Sequence, residues 1–337
     1  MPVRIALIKT SSMGDVIHAL PVVSDLVAAR PGVEIDWVVE EGFAELPRLH
    51  PAVREVIPVA VRRWRRALGQ ASTWREIRAA RARLRGGRYD LALDLQGLVK
   101  SALVARWTGA PVAGFSRGCA REPLASLAYA RTFHVASDLH AIERLRSLAA
   151  QALGYRVEGL PRFALSAPVL PLPWRPAGPH AVFLHATSRA EKQWPAQCWV
   201  ELGRALLARG TSVVLPWGGE AERAAAQALA DAIGGGAGSA VSAGSLASAV
   251  VAPRMTLSEC ARLLTDACAV VGVDTGLTHL AAAIDTPTVA LFAATPAWRF
   301  GPYWTARARN LGADGVWPQA AEVLDALDSL GALGALR

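Results

Sequence analysis

The chain has 337 residues, 52% hydrophobic and 19% charged, which is apolar material for about two domain cores and too little charge for general disorder. Its formal net charge of +8 points to acidic partners: nucleotides, phosphorylated lipids, an anionic membrane or nucleic acid. No segment approaches the roughly 18 apolar residues that span a bilayer, and the opening run Ile5-Ala6-Leu7-Ile8 is too short for a signal-peptide core, so the chain is expected in the cytosol.

Strand and helix alternate from the start. Residues 3–8 form a short apolar strand and 16–30 an amphipathic helix, and 35–39 is a second strand. The next stretch is strongly basic: Arg62-Arg63-Trp64-Arg65-Arg66, then Arg75, Arg78, Arg81, Arg83, Arg85 and Arg88. Trp74, Ile77 and Leu84 fall at helical spacing, so arginines surround one apolar stripe. Such a helix suits a membrane surface or a polyanion, and is otherwise a solvated face. No nucleic-acid fold signature accompanies it. A strand at 90–95 follows, with helices at 98–107 and 139–153.

Pro161, Pro168, Pro171, Pro173, Pro176 and Pro179 then mark a linker, since proline supplies no ladder donor. The alternation restarts with a strand at 181–185, a helix at 198–209, a strand at 212–215 and a helix at 220–233. Residues 234–248, rich in Gly, Ser and Ala, read as a flexible loop. A helix at 257–265, a strand at 269–273, a helix at 277–284 and a strand at 288–292 close the series, and a last helix covers 319–330. The fold class is therefore α/β: two Rossmann-like, doubly wound domains with an interdomain cleft. Ligands in such sheets sit beyond the carboxyl ends of the strands, which directs attention to the loops after Ile8, Leu95, His185, Leu215 and Val273.

Asp274-Thr275-Gly276-Leu277-Thr278-His279 opens a helix at a strand end. Free N–H groups there favour an anion, although alone the segment is equally an ordinary cap. Thr187, Ser188 and Lys192 leave a second strand end, adding two hydroxyls and a cation that suit a diphosphate. Glu220 follows Pro216-Trp217-Gly218-Gly219, where a carboxylate can meet a ribose diol. Neither G-x-G-x-x-G nor G-x-x-x-x-G-K-[ST] occurs, which disfavours dehydrogenases and P-loop NTPases. No Asp-x-Asp pair is present, so Lys192 and helix N–H groups are expected to neutralise a leaving diphosphate without a divalent metal. In the first half, Lys9-Thr10-Ser11-Ser12-Met13-Gly14-Asp15 runs from a strand into a helix. Asp15 is placed to take a proton from an acceptor hydroxyl or to cap the helix. The four cysteines (Cys119, Cys198, Cys260, Cys268) show no ligand-like spacing and read as small buried residues.

Several stretches through most of the chain resemble lipopolysaccharide heptosyltransferases of the first type, glycosyltransferases of the GT-B fold. They are Lys9 to Val16, Asp36-Trp37-Val38-Val39-Glu40-Glu41-Gly42-Phe43, Arg62-Arg63-Trp64, Gln96-Gly97-Leu98-Val99-Lys100-Ser101, Arg121 to Ser126, His185-Ala186-Thr187, Leu215-Pro216-Trp217-Gly218 and Asp274 to Leu280. The resemblance implies inverting transfer of L-glycero-D-manno-heptose from ADP-heptose to a Kdo residue of Kdo2-lipid A, with no cofactor. It implies that Asp15 is the general base and that Lys192 aids departure of the diphosphate. Ser12, Gly14, Thr187, Ser188, Lys192, Asp274, Thr275, Gly276 and His279 would bind the donor. Glu220, or Glu222, would face the ribose and Met255 the adenine. Lys9, Arg62, Arg63, Lys100 and Arg121 would face the acidic acceptor. The implied domains are 1–166, joined by a returning segment 319–337, and 176–318. The enzyme is expected at the cytoplasmic face of the inner membrane, held peripherally on anionic lipid, with no nucleic-acid partner. A sister glycosyltransferase with another donor or acceptor, or a binding module that keeps the fold, are the alternatives.

Overall fold

The computed structural model describes residues 3–187, 189–235 and 247–333. The chain divides into two units, with the boundary between Ser166 and Ala167. The proline-bearing segment 160–179 carries neither helix nor strand, as its missing donors require.

The first unit runs β1 (Arg4–Ile8), α1 (Met13–Ala29), β2 (Glu34–Glu40), α2 (Glu45–Arg48), β3 (Val53–Val59), α3 (Val61–Trp64), α4 (Ala71–Gly86), β4 (Leu91–Asp94), α5 (Val99–Arg106), β5 (Val112–Phe115), β6 (Arg131–Phe133) and α6 (Ala141–Leu153). The strands form one sheet in the order β3-β2-β1-β4-β5-β6, and every pairing is parallel. β4 is buried along its whole length, as expected of a central parallel strand covered on both faces. The strand order reverses between β1 and β4, so the loops leaving these two strands diverge and leave an opening at their carboxyl ends.

The second unit repeats the plan with β7 (His180–Leu184), α7 (Ala196–Ala208), β8 (Ser212–Leu215), α8 (Glu220–Gly234), β9 (Ala249–Val251), α9 (Leu257–Asp266), β10 (Ala269–Val273), α10 (Gly276–Ala283), β11 (Thr288–Leu291), α11 (Ala297–Phe300), β12 (Ala308–Leu311) and α12 (Ala320–Ser329). Its order is β12-β11-β10-β7-β8-β9, again all parallel. Here the reversal falls between β7 and β10.

Several sequence expectations change. The series does not close at β11, because β12 pairs beyond it. β3, β5, β6 and β9 are also strands the periodicity does not announce. Four of these five are sheet edges. An edge pairs on one side only and can be short, polar or interrupted by proline, as Pro58 interrupts β3. α1 starts at Met13, three residues before the expected 16. In the expected loop 234–248, residues 236–246 lie outside the described residues.

In the last helix, Ala320, Val323 and Leu327 of α12 are buried in one cluster with Trp199 and Leu206 of α7 and Leu291 of β11, three apolar residues at helical spacing that pack on the second unit's core. Residues 334–337 lie outside the described residues.

The basic helix α4 uses its stripe internally. Leu84 is buried and Ile77 and Ala80 pack beside it against Ile57, Trp64 and Tyr89. Trp74 departs from the stripe: it is exposed and donates its indole N–H to Leu68 O at 2.8 Å.

Candidate active site

In the second unit the β7 and β10 ends carry a linked cluster. Asp274 follows β10 directly. Its Oδ2 accepts from Lys192 Nζ at 2.5 Å and Thr295 Oγ1 at 2.7 Å, and its Oδ1 lies 3.0 Å from His279 Nε2. Burial pushes this carboxyl up, but His279, Lys192 and Thr295 outweigh it and hold the group well below the usual carboxylate range. Asp274 is therefore an anion committed to its cations. It aims Lys192 and His279 and does not itself suit an anionic ligand.

Beside it α10 begins at Gly276, with Thr275 in extended conformation as the N-cap. The first-turn N–H groups have no intrahelical acceptor and stand at the positive end of the helix. Thr278 is buried: its Oγ1 donates to Val273 O at 2.7 Å and lies 3.2 Å from Thr275 Oγ1. The helix approaches the sheet so closely that a Cβ at Gly272 would stand 2.2 Å from Thr278 Oγ1. Thr278 thus serves packing, and Thr275, Gly276 and Lys192 remain at the open end.

The loop carrying Lys192 is anchored by Trp194, whose indole N–H donates to Pro318 O at 2.9 Å and whose ring meets Trp199 edge-on at 4.8 Å. Thr187 is half-buried at the loop start; Ser188 lies outside the described residues. After β8, Glu222 Oε2 accepts from Gly218 N at 2.7 Å, and this carboxylate acts on the buried His185 at the end of β7. Glu220 points away, with a side chain 79% exposed and Arg223 at 3.4 Å. The geometry selects Glu222, the alternative, as the acid turned toward the strand ends. Met255 is half-buried just before α9, whose cap is Thr256 paired with Glu259. Trp217 ties the β8 and β9 loops together through Ala252 O at 2.6 Å.

In the first unit the β1 and β4 ends form a second cluster. Asp15, in the first turn of α1, accepts from Ser12 N at 3.0 Å and Ser12 Oγ at 2.7 Å through Oδ2. Its Oδ1 lies 3.7 Å from Lys9 Nζ. Burial raises the Asp15 pKa, but Lys9, the Ser12 hydrogen bonds and His18 bring it below the ordinary value. Lys9 is buried, which lowers its pKa against the pull of Asp15 and Asp94, and its Nζ donates to Leu95 O at 3.1 Å. Asp15 is both capping group and candidate base, with one oxygen bonded to Ser12 and the other facing Lys9.

Two residues without an assigned role in the sequence shape this site. Gln96 Oε1 accepts from Thr10 N at 2.7 Å and Ser11 N at 3.1 Å, while Nε2 donates to Ser11 O at 2.5 Å. One side chain clamps the turn leading to Asp15. Asp94, fully buried, accepts from Gln96 N, Ser101 Oγ and Tyr129 Oη, and burial raises its pKa. Gly97 turns the chain with a φ of +70°, which favours glycine, and a Cβ there would meet Arg121 N at 3.3 Å.

Of the expected acceptor residues, three converge here. Lys100 Nζ lies 3.5 Å from Ser11 Oγ, and Arg121 acts electrostatically on Lys9. Arg62 is placed nearby by its backbone, which donates to Glu40 Oε1 at 2.9 Å, and its guanidinium covers Phe43. Arg63 is different: it pairs with Glu41 at 3.0 Å and Glu76 at 2.9 Å. Its charge is matched within the protein, so it is not available as a free cation. Among the described residues no group of three His, Cys, Asp or Glu side chains could hold a metal ion.

Comparison with known proteins was consistent along the chain. Residues 77–324 match the model of glycosyltransferase family 9 (heptosyltransferase). Lipopolysaccharide heptosyltransferase 1 of Pseudomonas aeruginosa is 47% identical over 313 residues, covering 92% of this chain and 84% of the relative. Solved structures of the E. coli heptosyltransferase WaaC with ADP and with ADP-2-deoxy-2-fluoro heptose are 40% identical, with TM-scores of 0.85 and 0.81. Both comparisons cover 97% of this chain and 99% of the other.

Proposed function

The chain belongs to glycosyltransferase family 9, the heptosyltransferases, and from that premise we propose that it moves L-glycero-D-manno-heptose from ADP-heptose to a Kdo residue of Kdo2-lipid A. It is a glycosyltransferase of the GT-B type, built from two parallel six-stranded sheets, and its reaction is heptosyl transfer in the lipopolysaccharide inner core.

The observation that carries the donor reading is Lys192 held at 2.5 Å by Asp274 beside the start of α10. A diphosphate placed there meets an aimed ammonium, the Thr275 hydroxyl and first-turn N–H groups. The helix end contributes about 0.3–1 kcal/mol, and up to about 2 when partly buried, so Lys192 supplies the larger share. Thr187 borders the same strand end, and with Ser188 it adds hydroxyls to the donor site. Glu222 is the ribose partner and Met255 covers the adenine. This charge set needs no divalent metal as cofactor.

In the transfer the acceptor oxygen forms a bond to the anomeric carbon as the bond from that carbon to the diphosphate oxygen breaks. The hydroxyl proton passes to Asp15, and ADP leaves with the electron pair. Lys9 and Ser12 keep Asp15 ionised, which makes it a weak base. It acts late, when the hydroxyl has become acidic, and general-base help of this kind is worth about 10²–10⁴-fold. Lys9, Lys100 and Arg121 face the Kdo carboxylates and phosphates, with Arg62 at their margin.

Among the described residues no helix is long and apolar enough to cross a membrane. The exposed arginines between Arg62 and Arg88 that have no carboxylate partner among the described residues, unlike Arg63 and Arg83, support peripheral attachment to an anionic inner-leaflet surface, each contributing about 1 kcal/mol. The test is mass-spectrometric detection of one heptose added to Kdo2-lipid A from ADP-heptose. Product formed only from a uridine or guanosine diphosphate sugar, or no product from any donor, refutes the assignment.

A further inference from the structure

The first unit exposes apolar side chains beside its acceptor cluster. A groove of about 550 Å³ lies between α3–α4 and α5, with walls that include Trp64, Leu68, Ile77, Leu103 and Trp107. That volume is typical of a small-molecule or hydrocarbon site, about 300–1,000 Å³. Leu68 and Leu103, at its rim, are half-exposed, and Leu103 is 54% exposed. The turn Pro123–Ala128, which packs on α5, adds Leu124 and Leu127, the latter 73% exposed. Trp74 extends the strip through its bond to Leu68 O. Five large apolar groups exposed along one strip mark an interaction surface.

The charge around the strip says what covers it. Arg65 lines the groove, and Arg66, Arg75 and Arg78 stand exposed near it. None of these four has a carboxylate partner among the described residues. Lys100 also lines the groove while its Nζ reaches Ser11 in the acceptor cluster. Unpaired cations around exposed leucines and a tryptophan complement a surface that is anionic outside and apolar beneath. Continuity of the groove with the proposed lipid-acceptor cluster through Lys100 favours a lipid surface over an acidic protein partner.

We propose that Leu68, Trp74, Leu103, Leu124 and Leu127, flanking the groove, form the face by which the enzyme enters an anionic bilayer. The stripe of α4 cannot serve, because the core already occupies it. The leucines outside that stripe enter the headgroup layer, and the arginines hold the phosphates. The assignment rests on the lipid-linked acceptor proposed above, since the face then delivers that acceptor to Lys100 from the membrane side.

Sedimentation of the full chain with phosphatidylethanolamine–phosphatidylglycerol vesicles, against phosphatidylcholine vesicles, tests this. Transfer of heptose to a delipidated Kdo acceptor is read in parallel. The wild type is expected to bind the anionic vesicles and to release in high salt. Leu103→Asp and Leu127→Asp should each weaken vesicle partition on the order of 10-fold, with transfer to the delipidated acceptor within about 2-fold. That retained transfer also reports that the variants are folded. Unchanged vesicle binding by both variants overturns the proposal. So does a stable wild-type dimer, seen by light scattering, that these substitutions dissociate, because the face then belongs to a second copy. Loss of vesicle binding by variants whose circular dichroism matches the wild type, with no transfer by any protein, supports the docking face and refutes the reaction instead.

Discussion

Lys192 and Asp274 stand 82 positions apart in the chain and meet at 2.5 Å. The same carboxylate binds Thr295 and His279, so three segments of the second unit converge on one anion. Asp274→Asn should leave Lys192 without its counter-charge and remove the carboxylate that His279 and Thr295 contact. Breaking a pair this buried costs about 3–5 kcal/mol, which denaturant unfolding measures. The sign with pH follows from the depressed pKa. The unfolded carboxyl takes its proton near its ordinary value of 3.8, and the folded one at lower pH. The contribution is therefore complete above about pH 4–5 and is lost as pH falls through the folded value. The stability gap between wild type and variant should narrow below pH 4, and an undiminished gap at pH 2–3 would contradict the pairing.

Lys192→Ala removes the aimed cation. Turnover should fall roughly 10²–10³-fold, and stability should fall as well because the buried Asp274 loses its cation, while Trp194 still anchors the loop through Pro318 O. Steady-state kinetics with circular dichroism separate the two effects. A variant that is folded and fully active removes Lys192 from leaving-group stabilisation.

Asp15→Ala should lower kcat by about 10²–10⁴-fold with ADP affinity little changed. Its partners Ser12 and Lys9 lie in the first unit, whereas the residues of the diphosphate cluster belong to the second. Calorimetric titration of ADP into the variant checks the second half of the statement. Near-normal turnover would assign Asp15 to capping alone.

Gln96→Leu keeps the volume but leaves the Thr10 and Ser11 amides without the acceptor they use at 2.7 and 3.1 Å. Each unsatisfied buried amide costs about 1–3 kcal/mol. The turn before Asp15 should loosen, and kcat should drop at least about tenfold with ADP binding unaltered. If only melting temperature changes, Gln96 supports the fold and does not position the base.

Arg63 and Arg121 should behave differently although both are exposed arginines. Arg63 is matched by Glu41 and Glu76, whereas Arg121 has no ion pair among the described residues and acts on Lys9. Arg63→Ala is expected to change acceptor KM by less than about threefold, and Arg121→Ala or Lys100→Ala by about tenfold or more through lost charge-assisted bonds. Equal effects would place Arg63 in the acceptor site after all.

Much of this was written in the chain. Strands buried on both faces, such as β4, β7 and β10, declare themselves as continuous apolar runs. Helices such as α7 show their periodicity, and Asp274-Thr275-Gly276 and Lys9 to Asp15 mark the strand ends that hold the two polar clusters. These signals are legible because they depend on neighbours within a few residues. The edge strands β3, β6, β9 and β12 escaped because one-sided pairing relaxes composition. Gln96 on Thr10 and Ser11, Thr295 on Asp274, Arg63 between two glutamates and Glu222 on Gly218 N are choices among chemically equivalent side chains. Only the folded chain makes them, by bringing together residues that are distant in sequence and leaving each donor the acceptor within reach.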